Sequence, residues 1–163
     1  MDKRYLVDTN FLVQAERYYP QDIFPSFWER LRENIEDETI ALHVTVLEEV
    51  YKNEDDLADW MKSVPIFTPV EISEEAFNKY LELCAWAKDP RQGYSQAAIA
   101  TFEDNHHADA WICAECAVSG FVLVTNERRS NTPNNVKIPN VCDAFQIECM
   151  SVFDFMRLKN FKF

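Results

Sequence analysis

Glycine is almost absent from this sequence: only Gly93 and Gly120 occur among its 163 residues. Loops that cradle phosphate groups, such as Walker-type and dinucleotide-binding loops, need several glycines within about six positions so that the backbone can approach the phosphates. Two glycines this far apart cannot form such a loop. The sequence therefore excludes the nucleotide-binding classes that depend on one.

Long apolar runs are missing too. No stretch approaches the roughly 20 apolar residues that a membrane-spanning helix requires. The N-terminus carries Asp2 and lacks the apolar core of a secretory signal, so we expect a cytoplasmic protein without membrane contacts. With 47% hydrophobic and 13% aromatic residues the chain can bury a core, and its length fits a single domain over residues 1–163.

Basic residues are scarce. There are 16 Lys and Arg against 28 Asp and Glu, which gives a formal net charge of −12. This balance argues against a nucleic-acid partner, because phosphate binding uses Lys and Arg. The acid excess is confined to residues 1–119, whereas residues 120–163 hold 4 acidic and 6 basic residues. That C-terminal part forms either a mildly basic solvated surface or a local basic edge, made of Arg128, Arg129, Lys137, Arg157, Lys159 and Lys162.

The five cysteines are odd in number and irregularly spaced. In a cytoplasmic chain we expect them to be reduced and buried as small apolar side chains. Cys113 and Cys116 have the spacing of half a zinc site, but the sequence offers no second pair at matching spacing. The neighbouring His106 and His107 are better explained as polar residues before a helix than as substrate contacts. The tryptophans fall mostly on apolar helix faces and are predicted to be core residues: Trp28, Trp60, Trp86 and Trp111.

Apolar, β-branched stretches alternate with helical patterns along the chain. Strands are predicted at RYLVD (4–8), TIALHV (39–44), FVLVT (121–125), VKI (136–138) and QIECM (146–150). Helices are predicted over 11–17, 25–37, 46–63, 74–87, 95–104, 108–120, 139–145 and 151–160. Thr45 and Ser73 are predicted to begin the third and fourth of these helices, and Gly120 to end the sixth. The alternation predicts an α/β sandwich with a mostly parallel sheet.

Acidic residues stand where these elements end or begin. Asp8 ends the first strand, Glu48 and Glu49 lie in the helix after the second, Asp109 opens the helix before FVLVT, and Glu127 follows that strand. The carboxyl ends of parallel strands share one sheet edge, where ligands bind. Carboxylates crowded there repel one another unless a cation lies between them, and oxygen ligands suit Mg²⁺ or Mn²⁺. Each acid alone has a simpler explanation, because Asp and Glu are common near helix N-termini.

Three segments together resemble the PIN domain, a family of metal-dependent nucleases that includes toxin ribonucleases of the VapC type. They are VDTN at the end of the first strand, the acid pair in TVLEEV, and DAWICAECAVSGFVLVTNE. The tail KIPNVCDAFQIECMSVFDFMR resembles a PIN subgroup with a longer C-terminal segment. The resemblance covers Tyr5 to Glu127 and implies a three-layer α/β/α sandwich.

The resemblance also implies the roles of individual residues. Asp8, Glu49, Asp109 and Glu127 would hold Mg²⁺ or Mn²⁺ and carry out catalysis, with Glu48 as the competitor for the second position. Glu127 departs from the family's more usual Asp. Supporting roles would fall to Asn10, Thr125, Glu48 and Asp143, and Arg128 and Arg129 would hold the RNA backbone.

The implied function is hydrolysis of RNA phosphodiester bonds by the toxin of a type II toxin–antitoxin pair. Expected partners are the RNA substrate, a small antitoxin protein and a second copy of the chain in a homodimer. Two alternatives remain open: a PIN-fold binding module with little nuclease activity, and a hydrolase of small phosphate compounds. The RNA target and the number of metal ions are left open.

Overall fold

The computed structural model describes residues 2–66 and 68–162. Its centre is a four-stranded sheet in which every strand pair is parallel. The strands are β1 (Tyr5–Val7), β2 (Ile40–Ala41), β3 (Val122–Thr125) and β4 (Cys149–Ser151), in the spatial order β2-β1-β3-β4. The predicted α/β class and parallel sheet are confirmed.

The described residues form nine α-helices around this sheet. They are α1 (Thr9–Tyr18), α2 (Pro25–Glu36), α3 (Val44–Tyr51), α4 (Asp56–Ser63), α5 (Glu74–Lys88), α6 (Gln96–Phe102), α7 (Ala108–Ser119), α8 (Ile138–Phe145) and α9 (Val152–Leu158). Every residue of β1 and β3 is buried, as expected for strands covered by helices on both faces. The result is an α/β/α sandwich.

Helix ends follow the local capping chemistry. The Ser73 and Ser95 hydroxyls accept hydrogen bonds from the Ala76 and Ala98 amides and begin α5 and α6, and the helix start predicted at Ser73 is confirmed. Gly120 ends α7 at φ +75°, a left-handed conformation that glycine adopts without a Cβ clash.

The helix predicted over 46–63 is wrong as a single element. It is divided into α3 and α4, with Glu54 between them at φ +47° and the Asp55 carboxylate accepting from the Ala58 amide to begin α4. The predicted cap at Thr45 is also wrong. The cap is His43, whose Nδ1 accepts a 3.3 Å hydrogen bond from the Thr45 amide.

The strand predicted at VKI (136–138) does not form. Lys137 is the residue before α8, and the Ile138 amide that a strand would direct to a neighbour is bound by a side chain. The second strand is shorter than predicted, although a bridge between His43 and Val70 extends pairing past it.

The strand order creates one crevice at the carboxyl edge of the sheet. The chain leaves β1 toward β2 on one side and leaves β3 toward β4 on the other. In open α/β sheets ligands bind where the connections from two neighbouring strands run to opposite sides of the sheet in this way. Residues following β1 and β3 are therefore the first to consider for function.

No helix among residues 2–66 and 68–162 is long and apolar enough to cross a membrane.

Candidate functional site

Asp8 follows β1 directly and is completely buried. Its Oδ1 accepts a 2.8 Å hydrogen bond from the Phe11 amide, which caps α1. Its Oδ2 accepts a 2.7 Å hydrogen bond from the hydroxyl of Thr125, the last residue of β3. The helix cap expected of such an acid is therefore real, and it coexists with a position at the crevice.

The environment of Asp8 disfavours its charge. Burial raises the pKa of its carboxyl to about 7, and the two hydrogen bonds oppose that rise only in part. Repulsion from Glu127 and Glu49 adds to the increase. Asp8 thus lies within the electrostatic reach of two other acids that the sequence assigns to the site.

Glu49 reaches across the fold to a second helix start. Its Oε1 accepts a 2.8 Å hydrogen bond from the amide of Ala108, the first residue of α7. His107, which precedes that helix, makes no capping bond with its own side chain. Of the adjacent acid pair, Glu49 therefore points toward the crevice, whereas Glu48 is exposed on α3.

Glu127 performs the same task for a third helix. Its Oε2 accepts a 2.7 Å hydrogen bond from the amide of Ile138, the first residue of α8. The Glu127 amide donates to the Thr125 hydroxyl at 3.1 Å, so one hydroxyl orients both Asp8 and the residue that carries the fourth acid. A glutamate arm is long enough for this contact.

Asp109 differs from the other three acids. It lies in the first turn of α7, and its carboxylate accepts no hydrogen bond from the described residues. Burial and then repulsion from Glu127, Asp8 and Glu49 raise the pKa of Asp109 well above its usual range. Lys137 opposes this rise in the pKa of Asp109, and the imidazole Nδ1 of His107 is 3.9 Å from Oδ2.

A cavity of about 170 Å³ opens beside these acids. Glu49, Asp109 and Glu127 line it together with Asn10 and Lys137. Its remaining wall comes from the start of α1, α6, the residue before α7 and the segment before α8, through Thr9, Ala98, Thr101, Phe102, His107, Asn135 and Val136. We call it the acidic cavity. Sequence reasoning counted Lys137 in a possible basic edge but did not place it at the site.

Of the other candidate residues, Asp143, Arg128 and Arg129 do not line the cavity, whereas Asn10 does. Asp143 is exposed and forms a bidentate ion pair with Arg129, at 2.6 and 2.8 Å, away from the acidic cavity. Arg128 is exposed and makes no hydrogen bond or ion pair with the residues that the structure describes. Asn10 lies in the first turn of α1 and lines the cavity without capping the helix.

The donor set suits a hard divalent cation, because the acidic cavity and Asp8 offer carboxylate oxygens and Asp109 is a partly buried acid that accepts no hydrogen bond from the described residues. No group of three or more His, Cys, Asp and Glu side chains within 2–66 and 68–162 is arranged to hold a metal ion. One oxygen of Glu49 and one of Glu127 are directed at backbone amides instead. These long side chains would have to shift to share one ion with Asp109.

The cysteines are all free thiols, and four of them are buried. Cys142 of α8 lies close to Cys113 of α7 and to Cys149 of β4, but these thiols are not arranged as a metal site in the described part of the chain. Burial raises the pKa of the Cys116 thiol well above its usual range. Protonated thiols in this setting pack as small apolar groups.

Comparison with known families gives one result. A family model described as "Domain of unknown function (DUF4411)" matches residues 5–163. The chain belongs to the DUF4411 family. No curated protein matches it. The DUF4411 description names no activity, so a function for the acidic cavity of this DUF4411 chain rests on its residues.

Proposed function

We propose that this chain is a Mg²⁺- or Mn²⁺-dependent endoribonuclease and that the acidic cavity is its active site. One observation carries the proposal. Four carboxyl groups from separate elements lie within electrostatic reach of one another near the ends of the paired strands β1 and β3, and Asp109 is partly buried without a hydrogen bond from a described residue. A partly buried acid that repels three neighbours is costly in isolation, and a divalent cation would offset that cost.

Each acid has a defined part in this proposal. Asp8 and Asp109 would hold the ion most directly, because their short side chains stand at the ends of secondary-structure elements, Asp8 buried and Asp109 partly buried. Glu49 and Glu127 would contribute the oxygen that is not bound to a helix amide. A bound Mg²⁺ or Mn²⁺ would polarise a phosphate and lower the pKa of water.

Substrate binding would rely on the few cations near the cavity. Lys137 lines it and forms no ion pair within the described part of the chain, so its ammonium is available to a phosphate oxygen. Arg128 and Arg129 lie one and two residues after Glu127 and would bind the RNA backbone beyond the cavity. This local set is compatible with RNA despite the net charge of −12.

The biological setting follows from the resemblance to PIN toxins alone. It would be the cytoplasm, with a small antitoxin protein that blocks the cavity and a homodimer as the working form. These partners are part of the same proposal as the enzymatic activity.

Cleavage of RNA by the purified chain tests the activity. We expect Mn²⁺ to support cleavage and a chelator to stop it. Asp8→Asn and Asp109→Asn should remove the activity while folding is retained, and Asp59→Asn is the control because that acid is exposed on α4 outside the cavity. Equal cleavage by wild type and both cavity variants would rule out this site.

A second candidate function is a binding module with little nuclease activity. One observation favours it: three of the four acids already accept helix-capping hydrogen bonds, which accounts for their positions without a metal. Titration calorimetry distinguishes the two. Heat from Mn²⁺ binding that is lost in Asp109→Asn favours the nuclease, whereas absence of binding at millimolar Mn²⁺ favours the module.

A further inference from the structure

A second hollow is lined in part by the same segment that borders the acidic cavity. It has a volume of about 440 Å³, which is within the range of small-molecule sites. Its wall combines aromatic rings and amides with the carboxyl group of the Arg129-paired Asp143, through Trp86, Tyr94, Gln92, Asn131, Asn140 and Asp143. We call it the aromatic–amide hollow.

The ring of Trp86 is held firmly and remains partly open. It packs edge to face against Tyr94 at 5.9 Å and against Phe145 at 5.7 Å, so its orientation is fixed by two neighbours. The sequence predicted a core position, but Trp86 is only half-buried. Its indole N–H donates to no described residue, whereas those of Trp28 and Trp111 donate to backbone carbonyls.

The amides around this ring fall into two groups. Asn140 is structural, because it accepts from the Ser130 amide at 3.1 Å and donates to the Ser130 carbonyl at 3.0 Å, which fixes the segment. Gln92 and Asn131 are exposed, and their side-chain amides bond to no described residue. Each therefore offers one donor and one acceptor beside an aromatic surface.

The hollow and the acidic cavity share the segment of residues 127–137. Glu127 and Lys137, at its two ends, line the acidic cavity, and Ser130 lies between them at the hollow. Three residues of chain span at most about 11 Å, so Ser130 lies within that distance of Glu127. Arg128 and Arg129 fall between the two sites.

We propose that the aromatic–amide hollow binds one unpaired base of a single-stranded RNA whose backbone crosses residues 127–130 into the acidic cavity; this rests on the proposed ribonuclease function. The base stacks on Trp86, and Gln92 and Asn131 bond its edge. Duplex RNA is excluded, because a paired base cannot leave its stack to enter the hollow without breaking its pairing.

Equilibrium binding in a chelator tests this without cleavage. The probe is a fluorescein-labelled single-stranded RNA dodecamer, followed by anisotropy. We expect Trp86→Ala to weaken binding by about 5- to 100-fold, the range for loss of one base–aromatic stack. Asn131→Ala should weaken it severalfold. Asn134→Ala is the matched control, because this exposed asparagine of the same segment lines neither site.

A fluorescence measurement distinguishes loss of base stacking from a folding defect in Trp86→Ala. Stacking of a base on Trp86 should quench tryptophan emission in the wild type, and Trp86→Phe should remove that quench with an unchanged melting temperature. Repeating the titrations in Asp109→Asn, which is expected not to cleave, separates the two proposals. If the wild type does not cleave RNA but Trp86→Ala and Asn131→Ala still weaken RNA binding, only the ribonuclease function is contradicted.

Several results would contradict the proposal that the aromatic–amide hollow binds an unpaired RNA base. These are equal RNA affinity in wild type, Trp86→Ala and Asn131→Ala, binding of duplex RNA as tight as that of the single strand, and displacement of the probe by a neutral oligosaccharide. If Trp86→Ala cleaves RNA with an unchanged KM, the hollow does not bind the substrate, and the acidic cavity alone remains as the proposed RNA site.

Discussion

The Thr125 hydroxyl donates a 2.7 Å hydrogen bond to Oδ2 of Asp8 and thereby joins the ends of the neighbouring parallel strands β3 and β1. The same oxygen accepts from the Glu127 amide at 3.1 Å. One small side chain thus orients the acid that follows β1 and the residue that carries the acid after β3. The alignment of the site depends on the pairing of these two strands.

Replacing Thr125 by Val should destabilise the chain by about 1–3 kcal/mol, because a buried carboxylate oxygen and a backbone amide lose their partner. Urea unfolding measures the effect. Thr39→Val is the control, since the Thr39 hydroxyl bonds to no residue in the described ranges. An unchanged free energy of unfolding in Thr125→Val would contradict the role assigned to this hydroxyl.

The carboxyl of Asp8 should make the metal-free protein less stable as the pH rises. Its pKa is about 7 in the folded chain and near 3.8 when unperturbed, so the folded state binds more protons between these values. The free energy of unfolding therefore falls with rising pH in this window. In a chelator, the wild type should lose about 2–4 kcal/mol relative to Asp8→Asn between about pH 5 and about pH 7.5.

Asp143→Asn is the control for this pH effect. The Arg129 guanidinium lowers the pKa of Asp143, so the Asp143 carboxyl changes the free energy of unfolding only below this pH window. Within the window, the pH profile of Asp143→Asn should therefore run parallel to that of the wild type. Parallel pH profiles for Asp8→Asn and wild type would mean that the Asp8 carboxyl is not shifted as described.

The adjacent glutamates of α3 provide a matched pair. Glu49→Gln keeps an oxygen that can accept from the Ala108 amide but removes the charge, so the fold should persist while RNA cleavage falls by at least about a hundredfold. Glu48→Gln should cleave normally, because Glu48 is exposed outside the acidic cavity. Cleavage assays on both variants decide which of the two glutamates belongs to the site. Loss of cleavage in Glu48→Gln alone would assign Glu48 instead of Glu49.

Much of this arrangement was accessible from local sequence patterns. Ser73 and Gly120 mark helix ends through a bond or a conformation within a few residues, and both were predicted correctly. The break between α3 and α4 was missed, because the apolar spacing continues through Glu54 and gives no sign of its positive φ.

The contacts that sequence could not supply are long-range. Glu49 caps a helix that begins 59 residues later in the chain, and Glu127 caps one that begins 11 residues later. The VKI segment has strand-like composition, but the Glu127 carboxylate takes the Ile138 amide and α8 begins there. Tertiary contacts of this kind override local propensity.

Lys137 should govern substrate binding more than the chemical step. Lys137→Gln should raise KM for RNA about tenfold or more, because a charge-assisted bond to phosphate is lost, with a smaller change in kcat. Steady-state kinetics measure both values. Lys52→Gln is the control, since Lys52 is exposed and outside the cavity. A fall in kcat at constant KM would assign Lys137 to the chemical step instead.

The central claim is that Asp8, Glu49, Asp109 and Glu127 share one divalent ion. A crystal structure of the chain soaked in millimolar Mn²⁺, with an anomalous difference map, tests it most directly. We predict a Mn²⁺ peak bounded by oxygens of Asp8 and Asp109, with Glu49 and Glu127 turned toward it. A map with no peak in the acidic cavity, or with Mn²⁺ bound only elsewhere, would contradict the account.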